Sequence, residues 1–135
     1  PSCGYFGDDT DRDVLRRFHR ALKPGGRLAL DLLSFQRILG GMAAQGGQST
    51  VLQERGDDLL VDRNTYDVAS GRILTERISV RDGRVRRYPF STRLFPPSEI
   101  GSWLRDAGFA EVGFFDQDGE PYTLAARRMW VVATA

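Results

Sequence analysis

The apolar positions near the start of the chain fall at helical spacing. Val14, Leu15, Phe18, Ala21 and Leu22 recur at intervals of three and four and predict an amphipathic helix. Thr10 stands as its N-cap with Asp13 three residues on, as in a capping box, and Asp11 and Asp13 suit the positive end of the helix dipole. Lys23-Pro24-Gly25-Gly26 then stops the helix. Leu28, Ala29, Leu30, Leu32 and Leu33 form a short apolar run broken only by Asp31, which predicts a strand buried on both faces. Phe35, Ile38, Leu39, Met42 and Ala43 make a second helical stripe. Gly40, Gly41, Gly46 and Gly47 predict that this helix is short or mobile.

Beyond residue 50 the pattern shortens to strands and turns. VLQER (51–55), DDLLVDRNTYD (57–67), GRILTERISVR (71–81) and RVRRYPFSTR (84–93) are strand-like. Asp82-Gly83 is a strong hairpin signal, and Gly71 marks another turn. About three antiparallel strands are predicted between residues 58 and 93, with Pro89 at an edge or a bulge. Pro96-Pro97-Ser98 opens a helix whose stripe is Ile100, Trp103, Leu104 and Ala107 and whose stop is Gly108. FAEVGFFD (109–116) reads as a strand, QDGEPYTLA (117–125) as a loop and RRMWVVATA (127–135) as a closing strand. No repeat and no second core is marked.

Composition narrows this picture in a few respects. The 135 residues suit one domain. Nineteen Lys and Arg against 18 Asp and Glu leave a net charge of +1, which gives no reason to expect nucleic acid or an acidic membrane as partner. Cys3 is the single cysteine, so an internal disulfide is excluded and a reducing, cytoplasmic setting is expected. No apolar run approaches the roughly 20 residues of a membrane span. The chain opens on Pro1 rather than Met, so an upstream segment is expected. One His and one Cys argue against a zinc site, and no Gly-x-Ser-x-Gly elbow is present.

The segments GYFGDDTDRDVLRRFHRALKPGGRLALDLLSF and WLRDAGFAEVGFF resemble class I S-adenosylmethionine-dependent methyltransferases. In that family a helix ending in LKPGG leads into the fifth strand, a helix ending in AGF leads into the sixth, and an antiparallel seventh closes the sheet. The strands before TRLFPPSEI resemble an antiparallel layer that one branch of the family places over its substrate pocket. The resemblance covers nearly the whole chain. It implies an α/β fold in which residues 1–135 form one partial methyltransferase domain. That domain would hold the C-terminal strands of a Rossmann-like sheet, with an antiparallel β insert at about 50–95. One departure matters: no two glycines are spaced Gly-x-Gly, so the Gly-rich turn that approaches the cofactor is missing, as are the first three strands and most or all of the fourth. A missing N-terminal half, or self-association through an exposed sheet edge, is therefore expected as a partner, besides a small-molecule substrate.

The resemblance also implies candidate site residues. Tyr5 and Phe6, in the segment from Ser2 to Phe6, either pack on the cofactor sulfonium or cover the core. Asp31, as a buried carboxylate, either orients a nucleophile or pairs with an arginine, and Phe35 lies at the end of the same segment. Arg93 either binds a substrate carboxylate or makes a structural ion pair. His19 reads as a boundary residue, Cys3 as a packed thiol, and Arg84, Arg86 and Arg87 as a solvated strand face rather than an RNA site. Two other readings stay open. One is a non-enzymatic interaction module. The other is a small α+β domain whose apolar pocket is lined by Tyr66, Tyr88, Phe90 and Phe95.

Overall fold

In the computed structural model, which describes residues 3–135, helix α1 spans Asp8–Ala21. It starts ahead of the expected cap: Gly7 is the N-cap, with no side-chain capping bond, and Thr10 lies inside the helix. Three carboxylates, Asp8, Asp9 and Asp11, occupy the first turn and favour this start through the helix dipole. Asp11 also ties down the loop before the helix. It is 1% exposed, and its Oδ1 accepts the Gly4 N–H at 3.1 Å, which fixes the loop ahead of the helix. The inward stripe therefore runs Asp11, Leu15, His19 and Leu22, and Phe18 (43% exposed) and Ala21 turn outward, contrary to the predicted face. His19 turns inward because Gly108 leaves room for it: a Cβ there would lie 2.8 Å from its ring. The imidazole packs edge-on against Phe109, with centroids 5.1 Å apart.

The chain divides into two compact units, one of residues up to Ile38 together with Phe95–Ala135, the other of Leu39–Leu94. The first unit holds a three-stranded sheet of β1 (Arg27–Leu33), β6 (Glu111–Phe115) and β7 (Arg128–Thr134), in the order β1-β7-β6. Both pairings are antiparallel. Helix α3 (Pro97–Asp106) begins with proline at its first position and ends in a Schellman turn at Gly108, where the Phe109 N–H reaches the Leu104 carbonyl at 3.1 Å. One sheet face carries Leu28, Leu30, Leu32, Met129, Val131, Ala133, Val112 and Phe114, and these pack with Leu15, Phe95, Ile100, Trp103, Leu104 and Phe109. The other face leaves Ala29, Asp31 and Leu33 exposed. The predicted burial of β1 on both faces is thus corrected: α1 and α3 supply side chains to one face only, and residues alternate across it.

The second unit is a four-stranded antiparallel meander of β2 (Gln48–Arg55), β3 (Asp58–Asp67), β4 (Arg72–Arg81) and β5 (Arg84–Arg93). Three strands fall between residues 58 and 93, and β2 joins them, starting ahead of residue 51. Asp82 and Gly83 both have positive φ (49° and 68°), the geometry that a two-residue hairpin turn demands. Pro89 sits on the outer strand β5, where its missing N–H costs no ladder bond to a further strand. Helix α2 (Phe35–Ala43) is short and joins the two units.

Leu104 is fully buried, whereas Leu33 is 37% exposed. Leu104→Ala is expected to lower stability by about 3 kcal/mol in urea unfolding, and Leu33→Ala by less than about 1 kcal/mol. Equal losses would contradict the one-sided core.

Candidate functional site

Since β1 and β6 both run antiparallel to β7, their carboxyl ends share one edge of the sheet. Ligands of open α/β sheets bind beyond that edge. Ser34, Phe35 and Gln36 follow β1 there, and residues 116–127 follow β6. Helix α1 rises about 21 Å and β1 about 23 Å, and the turn joining them is short.

The loop after β6 is built around Asp116. Its Oδ1 accepts the N–H groups of Asp118 (2.9 Å) and Glu120 (3.0 Å), and its own N–H donates to the Glu120 carbonyl at 2.8 Å. This closes the turn and delivers Tyr122, whose N–H donates to the Phe114 carbonyl at 3.1 Å. The Tyr122 hydroxyl donates to Gln36 Oε1 and lies 2.9 Å from Ser34 Oγ. With that phenolic proton committed to Gln36, Ser34 donates to Tyr122. Ser34 is 1% exposed, so the bond also satisfies a buried hydroxyl. The result is a directed chain, Ser34 to Tyr122 to Gln36, at the carboxyl end of β1. Sequence reading singled out none of the three. Their separations of 86 and 88 residues leave no local signal.

The candidates named from sequence fall in several places. Tyr5 and Phe6 are 52% and 50% exposed, so they do not simply close the core. Phe35 is half-buried at the start of α2, between Ser34 and Gln36. Asp31 is exposed rather than buried, because it shares the outer face of β1 with Ala29 and Leu33. Its Oδ1 accepts Arg128 Nε–H at 2.8 Å. Arg93 belongs to the second unit, where its Nη1 donates to the Ser70 carbonyl at 3.0 Å. Tyr66, Tyr88 and Phe90 share one face of the four-stranded sheet by register. Phe95 instead lies in the first unit's core, edge-on to Trp103 at 5.2 Å. Tyr66, Tyr88 and Phe90 thus belong to the second unit and Phe95 to the first. Cys3 packs against the core, and burial first, then the charge of Asp11, push its thiol up to about 12.

At pH 8 Cys3 is expected to react with iodoacetamide more slowly than a free thiol, because the reactive thiolate is scarce. The unfolded thiol ionises near 9.0 and the folded one near 12. This contribution to stability is therefore full below pH 9 and falls as pH rises between these values. Separately, Tyr122→Phe is expected to cost about 1–2 kcal/mol in urea unfolding, by stranding the buried Ser34 hydroxyl. Asp31→Asn, at an exposed pair, should cost less than about 1 kcal/mol, and less in high salt.

No protein-family model matches the sequence, and no curated protein matches it. Solved structures do share its fold. An S-adenosylmethionine-dependent methyltransferase from Clostridium acetobutylicum ATCC 824 matches over 98% of this chain and 54% of its own, with TM-score 0.75 and 15% identity. The CcbJ methyltransferase from Streptomyces caelestis matches over 96% of this chain and 54% of its own, with TM-score 0.69 and 21% identity. CalS10 with S-adenosylmethionine bound, an amino pentose methyltransferase from Micromonospora echinaspora involved in calicheamicin biosynthesis, matches over 98% and 54%, with TM-score 0.55 and 18% identity. The chain thus has a fold found within S-adenosylmethionine-dependent methyltransferases and spans about half the length of these structures.

Proposed function

We propose that this chain is the C-terminal part of an S-adenosylmethionine-dependent methyltransferase acting on a small-molecule nucleophile. The observation that carries the reading is the uncovered side of the three-stranded sheet. Doubly wound sheets bury both faces under helices. Here one face has the core, while the other leaves Trp130 40% and Leu33 37% exposed. Strand β1 is also an outer strand, free to pair with further strands. A second half that completes the sheet would cover both.

S-adenosylmethionine, when bound, supplies a methyl group already activated on a sulfonium. The protein's work is then mainly to position the acceptor and exclude water. Among this chain's residues, the exposed rings of Tyr5 and Phe6 fit one flank of such a cation. The Gly-rich turn for its other flank is not in this sequence. The Ser34–Tyr122–Gln36 chain stiffens the carboxyl end of β1, where Phe35 supplies an apolar wall. Asp31, ion-paired with Arg128, orients the acceptor. The likeness to an amino pentose methyltransferase favours a small polar acceptor of the amino sugar kind. The single cysteine favours a reducing, cytoplasmic setting. No helix among the described residues is long and apolar enough to cross a membrane.

The test is calorimetric titration with S-adenosylmethionine, on the 135-residue chain and on the protein recovered under native conditions from its own cell. The chain alone is expected to show no micromolar binding. The native protein is expected to bind and to transfer a labelled methyl group to a small acceptor. Micromolar binding by the chain alone would refute the partial site. A native protein that neither binds nor transfers, but retains a stable partner, would leave an interaction module in place of an enzyme.

A further inference from the structure

The second unit contains a concave groove of about 740 Å³ at the hairpin end of its sheet. Register sets most of its lining on one face, in the cross-strand row Gln53–Leu60–Ser79–Arg86 and in the pairs Arg55–Asp58 and Arg81–Arg84 beside it, with Tyr88 next along that face; Leu59, Val80 and Asp82 complete the lining. Four arginines, Arg55, Arg81, Arg84 and Arg86, line the groove against two aspartates, Asp58 and Asp82.

The pairing of the unit's arginines is uneven. Arg77 is held by Asp62 through two bonds of 2.7 and 2.6 Å, and Arg81 by Asp58 at 2.9 Å. Arg63 and Arg87 share Glu76 on the opposite face. Arg72 donates to Ser91, and Arg93 to the Ser70 carbonyl. Arg55, Arg84 and Arg86 have no ion pair among the described residues, and all three open onto this one groove. Arg81 and Arg84 moreover stand directly opposite each other, where like charges repel. A sheet that satisfies its other arginines yet gathers the remaining three around a concavity has the charge pattern of an anion site. Guanidinium groups match phosphate oxygens in geometry as well as charge. The Tyr88 ring and Leu60 add apolar surface beside the charges, which suits an organic phosphate.

We propose that this groove binds the phosphate or diphosphate group of a small ligand, with Arg55, Arg84 and Arg86 as its contacts. The site lies wholly within the second unit and does not depend on methyl transfer.

The test is titration of the 135-residue chain with inorganic pyrophosphate at fixed ionic strength, followed by calorimetry. Saturable one-to-one binding below about 1 mM is expected, weakened by added salt. Uridine diphosphate in place of pyrophosphate separates the two sources: tighter binding marks an organic phosphate, equal binding a free one, and both support the site. The double variant R84Q/R86Q is expected to weaken binding by about tenfold or more. R87Q removes one positive charge from the same strand but on the opposite face, and should change binding less than about twofold, against the loss that R84Q or R86Q alone would give. R55Q, on a different strand, gives an independent loss should the double variant unfold. Failure to saturate, or equal weakening by R87Q, overturns the proposal. Binding of a short single-stranded RNA without pyrophosphate binding also overturns it, in favour of a nucleic-acid surface.

Discussion

Strand β7 pairs on both sides, and the first unit depends on that double pairing. Met129, Val131 and Ala133 point to one face and are at most 1% exposed. Burying side chains of the size of Met129 and Val131 contributes about 1.5–3 kcal/mol each. Because β7 is antiparallel to both neighbours, β1 and β6 run the same way though they never touch. Their carboxyl ends then meet on one edge, which is what brings Tyr122 to Ser34 across 88 residues of sequence. At the opposite end, reciprocal bonds of 2.8 Å between Gly25–Gly26 and Ala135, and a bond from Ala110 to Thr134, extend both pairings of β7. The site thus follows from the pairing order rather than from any local motif.

The two units hold together by different means. The first has a continuous apolar core. In the second, polar pairs cross the strands. Asn64 links Ser49 on one side with Thr75 on the other, and Asp62 grips Arg77, which lies 4.9 Å over the Phe90 ring. The two Asp62 bonds raise the Arg77 guanidinium further above its ordinary range, so it stays charged at any working pH. Such pairs fix register, because a one-residue slip would send every partner to the opposite face. The same alternation separates Arg87, which reaches Glu76, from Arg84 and Arg86 on the groove side.

Much of the element order was legible, since it rests on local chemistry. Asp82-Gly83 demanded positive φ, Pro97 could only begin α3, and Gly108 could only end it. What failed was facing. Leu28 to Leu33 read as apolar throughout, yet alternation exposes Ala29, Asp31 and Leu33, because only one face receives helices. Phe18 outranks His19 in hydrophobicity, but the space left by Gly108 draws His19 inward. Thr10 was the better cap by type, but the acids at 8, 9 and 11 and the Gly4–Asp11 bond set the start at Gly7. The Ser34–Tyr122–Gln36 chain and the arginine groove were illegible for one reason: each is assembled by register between distant strands or loops. The run of Arg84, Arg86 and Arg87 was visible, but not the fact that its members face opposite ways.

The open edge of β1 and the bare face carrying Leu33 and Trp130 connect fold and proposed function most closely. Hydrogen exchange at the β1 amides that point away from β7 tests that connection directly. Fast exchange in the 135-residue chain, and strong protection of the same amides in the protein recovered from its own cell, is the expected result, since further strands would then pair with β1. Equally fast exchange in both would mean that nothing completes the sheet, and would contradict the reading of this chain as part of a larger methyltransferase.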